Sequence, residues 1–407
     1  MSLTFQQHRL SNGLTILSET NPHAHTFSAG LFVKTGSRDE PAAINGVSHF
    51  LEHMMFKGSD TIDWQAMNRI FDEMGARYNA FTTQEMTAYY ATVLPEFTQR
   101  VMGHLGQLLR PALRIEDFDT EKKVILEEIA MYEDEPSHRI YEHLMARHFE
   151  HHPLGQSVLG PADTIRSMTR DQMKAYLDTR YGPANMVLSV AGKLDFKEVV
   201  ELAEKLYGHW TGPAVSRDHA VATHADRDLS MTDAKLNRTY VMAMTPGPSS
   251  QDPLRFAARV LGDVLGDSEG SRLYWALVDP AIAEEADFGF YPHDGVGSFY
   301  VSLACTAENT DRAIEIARSI LFDAIKTGID EDEIERARNK LVSGLTLSGE
   351  QPSGRMRSLG SQWMYLNQYR SLEQDVADLM AVDAKQLSDL MHTYPFDPMT
   401  LVRLGPA

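Results

Sequence analysis

Residues 46–59, GVSHFLEHMMFKGS, are the most informative stretch of this 407-residue chain. Their apolar side chains recur at the spacing of one buried helical face: Val47, Phe50, Leu51 and Met54. This period predicts an amphipathic helix, with Asn45 as its N-cap and Gly58 as its stop.

Polar residues form a second stripe on the same predicted helix. His49, Glu52 and His53 lie together on it, because positions i, i+3 and i+4 are neighbours on a helix. Two imidazoles one turn apart can both bind a single zinc ion. Glu52 is then close enough to take a proton from a water on the metal, an H-x-x-E-H arrangement that reverses H-E-x-x-H. The alternative is a surface helix with polar residues at helical spacing.

A catalytic zinc usually has three protein ligands and one open position, so a third donor is needed. Cys305 is the only cysteine, which leaves His, Asp or Glu. Residues 117–134, DFDTEKKVILEEIAMYED, read as a helix with Glu121 and Glu128 on one face. Glu127 points roughly 100° away from Glu128. Glu128 is therefore the predicted ligand, and Glu121 either supports a ligand histidine from behind or is a solvent-facing charge.

Outward from these helices, the chain alternates strand and helix signals. The predicted strands of the first half are residues 14–18, 26–35 and 186–191, and residues 77–93 predict a β-hairpin that turns near Thr83 and Gln84. The predicted helices include residues 64–74 and 196–207, with helical periodicity dominant over 95–181.

The stretch 211–228, TGPAVSRDHAVATHADRD, mixes Gly, Pro, Ser and charges without a period and is the predicted linker. After it the order of elements starts again, with a strand at 239–244 and a helix at 254–265. The chain therefore divides into two similar domains, 1–210 and 229–407. Only the first carries the metal motif, so the second is predicted to be metal-free.

The bulk composition limits the classes of partner. A formal net charge of −19 disfavours nucleic acid and favours basic peptides if the charge lines a cavity, although it can equally be a solubility device. No apolar run approaches the roughly 18–20 residues that span a membrane. The first ten residues, MSLTFQQHRL, lack the pattern of a secretory signal, so a cytoplasmic location is expected.

Three runs together resemble one known family: GVSHFLEHMMFKGS at 46–59, GARYNAFTTQEMTAYY at 75–90 and EKKVILEEIAMYEDEP at 121–136. The chain resembles the M16 family of inverzincin zinc metallopeptidases, which contains pitrilysin, insulin-degrading enzyme and the mitochondrial processing peptidase. In length it is similar to the short processing-peptidase type. The resemblance implies zinc on His49, His53 and Glu128, with Glu52 as the general base.

The same resemblance implies an α+β fold and a mode of substrate binding. Each of the two domains would be a mostly antiparallel sheet with helices packed on one side. Asn79, Ala80 and Phe81 would lie on an edge strand that pairs with an extended substrate, a mode that reads backbone more than side chains. The implied reaction is hydrolysis of unfolded peptides.

One segment of the second half departs from the family pattern. Relatives of this type often carry an Arg and a Tyr that reach the substrate, shortly after an SRL run. Residues 277–286, LVDPAIAEEA, contain neither. We therefore expect a homodimer, or a heterodimer with a related subunit that supplies them. The alternatives are a non-catalytic scaffold subunit and a structural zinc protein, which would need a fourth protein ligand.

A second group of histidines is less informative. His148 and His152 stand at i and i+4, with His143 and His151 nearby, so a second metal site is conceivable. No glutamate is set beside them for catalysis, and the group is interpreted as structural.

Overall fold

The structure is a computed structural model that describes residues 3–217 and 219–406, and its strands form two sheets. The first sheet contains β1 (Thr4–Arg9), β2 (Thr15–Thr20), β3 (Phe27–Val33), β4 (Arg77–Thr82), β5 (Thr87–Val93) and β6 (Met186–Gly192). The second contains β7 (Arg227–Thr232), β8 (Thr239–Gly247), β9 (Glu285–Pro292), β10 (Gly297–Cys305) and β11 (Thr400–Gly405).

The two sheets share one topology. The strand order is β1-β2-β6-β3-β5-β4 in the first and β7-β11-β8-β10-β9 in the second. One pair in each is parallel, β2 with β6 and β7 with β11, and the other pairs among the described residues are antiparallel. Apart from β1 the orders correspond strand for strand. The α+β class with two mostly antiparallel sheets is confirmed, and so is the internal repeat.

Helices follow the strands in both halves. Those of the first half are α1 (Val47–Met55), α2 (Trp64–Glu73), α3 (Thr98–Leu108), α4 (Ile115–Glu133), α5 (Pro136–Phe149), α6 (Ala162–Ser167), α7 (Arg170–Arg180) and α8 (Phe196–Tyr207). Those of the second are α9 (Arg255–Gly266), α10 (Thr310–Thr327), α11 (Glu331–Gly349), α12 (Pro352–Leu366), α13 (Leu372–Met380) and α14 (Ala384–Thr393). Within the described residues, none of them combines the length and apolar character needed to span a bilayer.

The start of α1 differs from the predicted cap. Gly46, not Asn45, is the N-cap, with φ of +95°, and a Cβ there would lie 2.5 Å from the Leu159 carbonyl oxygen. The helix N-terminus is instead satisfied by the buried Glu40 carboxylate, which accepts from the Gly46 and Ser48 N–H groups at 2.6 and 2.7 Å. The prediction of Asn45 as the N-cap was therefore wrong. Its side-chain amide instead donates to the Glu40 carboxylate that accepts from the helix N-terminus.

Each sheet receives one helix from the other half of the chain. The α12 helix packs Met356 and Met364 on the first sheet, against a cluster that includes Phe32 of β3. The α5 helix packs Leu144 on the second sheet, against a cluster that includes Val402 of β11. Each sheet is therefore covered by a helix from the other half of the chain, in addition to the helices of its own half that were predicted to pack on it.

The exchanged helices begin with the same residues, Pro-Ser-x-Arg, at 136–139 and at 352–355. In each case the arginine forms an ion pair with its new sheet. Arg355 donates to both carboxylate oxygens of buried Glu19 on β2, each at 2.6 Å. Arg139 donates to Asp233, which directly follows β7, at 2.7 Å. The exchange is therefore a repeated feature of both halves.

The compact units consequently differ from contiguous domains. One comprises Met1–Ala130, Gln156–Asp218 and Leu347–Arg370, and the other Met131–Gly155, His219–Thr346 and Ser371–Ala407. The predicted domains, 1–210 and 229–407, do not include this exchange. Local periodicity shows that a helix has an apolar face, but it does not show which sheet that face packs against.

The predicted linker at 211–228 also differs in part from the structure. Arg217 is buried, and its guanidinium donates to both carboxylate oxygens of Asp39 at 3.0 and 2.7 Å. The last two residues of the stretch, Arg227 and Asp228, already belong to β7. Asp218 lies outside the described residues.

Arg355→Met is expected to lower the free energy of unfolding by about 3–5 kcal/mol, because it leaves the Glu19 charge buried without its cation. The measurement is urea-induced unfolding followed by circular dichroism. Arg357→Met is the matched control on the same helix. Its guanidinium is exposed and lies 5.9 Å from the Tyr90 ring, so a loss of at most about 1 kcal/mol is expected. Equal losses in the two variants would contradict the role of the buried pair.

Candidate metal centre

The apolar stripe of α1 fixes the orientation of its polar stripe. Phe50, Leu51 and Met54 are fully buried, so the side chains between them are held at a set angle to the core. Phe50 stacks on Phe118 of α4, with ring centroids 4.9 Å apart. This contact places α4 beside α1 and brings Glu128 to the histidines.

His49, His53 and Glu128 converge. One potential ligand atom from each lies within 4.8 Å of the others, and no other such group of His, Cys, Asp and Glu occurs in residues 3–217 and 219–406. Nε2 of His49 is 3.8 Å from Oε1 of Glu128, and Nε2 of His53 is 3.6 Å from Oε2. Glu128 is half-buried whereas Glu127 is exposed, so the helix-face argument that separated the two agrees with the structure.

This donor set fits zinc. Nitrogen and oxygen ligands about 2.1 Å from a tetrahedral ion lie roughly 3.4 Å from one another, close to the two distances across this site. Three carboxylates lie around it, Glu52, Glu121 and Glu128, and the Lys57 ammonium pairs with Glu121. The site therefore carries the excess negative charge that suits a divalent cation.

Glu121 lies behind His53. Its Oε1 is 2.9 Å from Nδ1 of His53, and its Oε2 forms an ion pair with Lys57 Nζ at 2.5 Å. Burial alone would raise the pKa of the Glu121 carboxyl, but the contacts with His53 and Lys57 outweigh it and hold that pKa below its usual value. A charged Glu121 favours the tautomer of His53 with its proton on Nδ1, in which Nε2, 3.6 Å from Glu128, is free to bind a metal.

The pKa values of the two histidines are shifted in opposite directions. Burial, with the charge of nearby His53, lowers the pKa of His49 to about 4, so the neutral imidazole is its form near pH 7. Burial also lowers the pKa of His53, but the hydrogen bond to Glu121 and the charges of Glu128 and Glu52 raise it above its usual value. A metal at this site therefore competes with a proton on His53.

Glu52 sits beside the ligand group in a partly buried position. Its Oε2 accepts a hydrogen bond from the Thr82 hydroxyl at 2.5 Å. Burial raises the pKa of the Glu52 carboxyl above its usual value, although the Thr82 hydrogen bond and the charge of His53 oppose the shift. A raised carboxyl pKa brings a general base closer to the working pH.

The strand β4 lies at an edge of the first sheet, where it pairs only with β5 among the described strands. Asn79 is exposed, and Ala80 and Phe81 are half-buried. The edge position expected for these three residues therefore agrees with the structure, while their contact with a substrate stays a prediction.

The second group of histidines does not form a metal site in the described part of the chain. Nδ1 of His148 is 3.1 Å from the Thr400 hydroxyl, and its Nε2 is 3.3 Å from that of Ser298. Nε2 of His152 is 3.1 Å from the Ala220 carbonyl oxygen. Both histidines are engaged in hydrogen bonds, which agrees with the structural interpretation.

Comparison with known proteins decides the family. Models described as insulinase (peptidase family M16) and peptidase M16 inactive domain match residues 15–162 and 167–341. An uncharacterized zinc protease of Mycobacterium tuberculosis is 30% identical to this chain, over 93% of this chain and 88% of its own length. This chain belongs to peptidase family M16.

Two further comparisons extend over nearly the whole M16 chain. A probable mitochondrial-processing peptidase subunit beta of Arabidopsis thaliana is 29% identical, over 98% of this chain and 77% of its own length. The structure of a protease from Helicobacter pylori superposes with a TM-score of 0.92 at 20% identity and covers 100% of both chains. The second likeness shows that the fold is shared.

Two residues of the site were missed by sequence reasoning. Lys57 lies inside the 46–59 run but beyond the end of α1, so helix periodicity gave it no place on the polar stripe. Thr82 shares a face of β4 with Tyr78 and Ala80, and strand alternation could have placed it on the side of β4 opposite Asn79. Its contact with Glu52 joins residues 30 positions apart and has no local signal.

Glu121→Gln is expected to weaken zinc binding by about 10- to 100-fold, because an amide is a weaker acceptor for the His53 N–H and leaves Lys57 unpaired. The measurement is competition for zinc against a chromophoric chelator. Asp119→Asn, an exposed change on the same helix, is the control and should bind zinc as the wild type does. An unchanged affinity in Glu121→Gln would show that Glu121 does not support the ligand.

Proposed function

We propose that this M16 chain is a zinc metalloendopeptidase that hydrolyses unfolded peptides. The observation that carries the proposal is the convergence of His49, His53 and Glu128 within 4.8 Å, with the partly buried Glu52 beside them. A group of three N and O donors, without a fourth in the described residues, is typical of a catalytic zinc rather than a structural one. The names of the mycobacterial and other relatives as zinc proteases support the same activity.

The protein residues divide the chemistry among them. His49, His53 and Glu128 would hold the zinc, which when bound polarises the scissile carbonyl and makes water acidic enough to attack near pH 7. Glu52 takes the proton from the attacking water and later delivers it to the leaving amine. Glu121 and Lys57 keep His53 in its ligand tautomer.

The substrate is proposed to add to the free edge of β4. An extended peptide that pairs with Asn79–Phe81 would form main-chain hydrogen bonds like those between β4 and β5. An unfolded segment presents its main-chain N–H and C=O groups unpaired, which favours unfolded segments as substrates. The net charge of −19 leads us to expect a preference for basic peptides.

Dependence on a partner is the second part of the proposal. The segment 277–286 has neither the arginine nor the tyrosine expected for substrate contact. One relative is named as the beta subunit of a mitochondrial-processing peptidase, a name that implies further subunits. We propose a homodimer, or a heterodimer in which a related subunit supplies the missing side chains. The cytoplasmic location stays a prediction.

The test is hydrolysis of internally quenched peptides of about 20 residues, assayed with the chain alone and after mixing with candidate related subunits. We expect cleavage inside the peptide, loss of activity with a zinc chelator, and recovery when zinc is restored. Peptides of one length with opposite net charge test the preference for basic substrates at low salt.

Two outcomes would contradict the proposal. Cleavage that resists full removal of zinc would show that the metal is not needed. A zinc-loaded chain that cleaves nothing, alone or with a partner, would favour the alternative of a non-catalytic scaffold subunit.

A further inference from the structure

We propose that Thr82 is a positioning residue that holds the general base Glu52 and ties it to the strand on which the peptide pairs. This inference rests on the proposed function, because it assigns Glu52 the role of base. It is carried by one contact between elements: Thr82 is the last residue of β4, Glu52 lies on α1, and the Thr82 hydroxyl donates to Oε2 of Glu52 at 2.5 Å.

The end of β4 is held by backbone hydrogen bonds of the turn that follows it. The turn that follows Thr82 is closed by a hydrogen bond from the Thr83 N–H to the Met86 carbonyl oxygen at 2.8 Å. The carbonyl oxygens of Thr83 and Gln84 accept from the N–H groups of Ser37 and Arg38 at 3.3 and 2.8 Å. The hydroxyl of Thr82 therefore extends from a fixed point of the backbone.

Side chains reinforce the same turn. Arg38 pairs with Glu85 at 2.7 Å, and both side chains are buried. Thr87, which faces Thr82 across the hairpin, is also buried, and its hydroxyl donates to the Thr35 carbonyl oxygen at 3.0 Å. Such contacts leave the hairpin end little freedom to shift when a peptide binds.

A fixed hydroxyl matters because the terminal torsion of a glutamate is broad, and a carboxylate without a partner samples many angles. The Thr82 hydrogen bond occupies Oε2 and leaves Oε1 to receive the proton. A peptide that pairs with Asn79–Phe81 would have its scissile bond next to β4, the strand whose Thr82 hydroxyl holds Glu52 in place. Binding and proton transfer would then share one rigid element.

The experiment compares Thr82→Val with Thr82→Ser in the chain that hydrolyses peptides, with its partner if one is required. Valine keeps the shape of threonine and removes the hydroxyl, so kcat is expected to fall by about 10- to 100-fold with KM unchanged. Serine keeps the hydroxyl and should recover kcat to within about threefold of the wild type. Zinc content and unfolding temperature should match the wild type in both variants.

Thr92→Val is the matched control, since Thr92 lies at the other end of β5 and its hydroxyl contacts Ser28 at 2.8 Å. Its kcat and KM should stay at wild-type values. A Thr82→Val variant with wild-type kcat would overturn the inference. A Thr82→Ser variant as slow as Thr82→Val would also overturn it. The same holds for a rise in the KM of Thr82→Val as large as the fall in its kcat. Hydrolysis that survives in Glu52→Gln would instead overturn the proposed function.

Discussion

Glu52→Gln is expected to lower the rate of peptide hydrolysis by roughly 10²- to 10⁴-fold, the range typical of a lost general base. Glutamine keeps the size of the side chain and can still meet the Thr82 hydroxyl, but its amide cannot take a proton from water. The measurement is kcat on an internally quenched peptide, with zinc content determined on the same preparation. The variant should keep its zinc, because Glu52 is not one of the three converging residues that we propose as ligands.

The control for this variant is Glu116→Gln, an exposed change on α4 that should hydrolyse peptides at the wild-type rate. A Glu52→Gln variant within a few-fold of the wild type would remove Glu52 from its role. A variant that loses zinc as well as activity would show that Glu52 belongs among the ligands.

Glu128→Gln should weaken zinc binding by about 10²- to 10³-fold. This estimate divides the binding free energy of a typical protein zinc site equally among its ligands and removes the share of one ligand. The neutral amide loses the charge that Glu128 presents to both histidine Nε2 atoms. Hydrolysis should fall in proportion to the loss of bound zinc, and should rise again as zinc is added. The measurement is kcat/KM at a series of free zinc concentrations.

The outcome that would contradict the ligand role is an unchanged dependence on zinc. A lower rate that does not recover at high zinc would instead place Glu128 in contact with the substrate.

The grouping of His49, His53 and Glu128 could be predicted from the sequence because these residues follow local rules. The spacing of His49, Glu52 and His53 on one helix needs no knowledge of the fold. Glu128 was separated from Glu127 by its helix face alone, and in the structure Glu127 is exposed. The hairpin of β4 and β5 was likewise predicted from residues 77–93.

The missed features depend on contacts between distant parts of the chain. Periodicity shows that α5 and α12 have apolar faces, but it cannot say which sheet each face covers. The repeated Pro-Ser-x-Arg start was a signal that could have marked them as equivalent. Two contacts cannot be predicted from the spacing of residues in the sequence: the Glu40 carboxylate at the start of α1 and the Thr82 hydrogen bond to Glu52.

The most direct test of the metal centre is the zinc content per chain of Glu127→Gln and Glu128→Gln, purified and dialysed together with the wild type and measured by mass spectrometry. The two glutamates are adjacent in sequence and the chemical change is identical, so only the helix face differs. We expect about one zinc per chain in the wild type and in Glu127→Gln, and little in Glu128→Gln. Equal zinc in the two variants, or loss only in Glu127→Gln, would contradict the assignment of His49, His53 and Glu128 as the metal ligands.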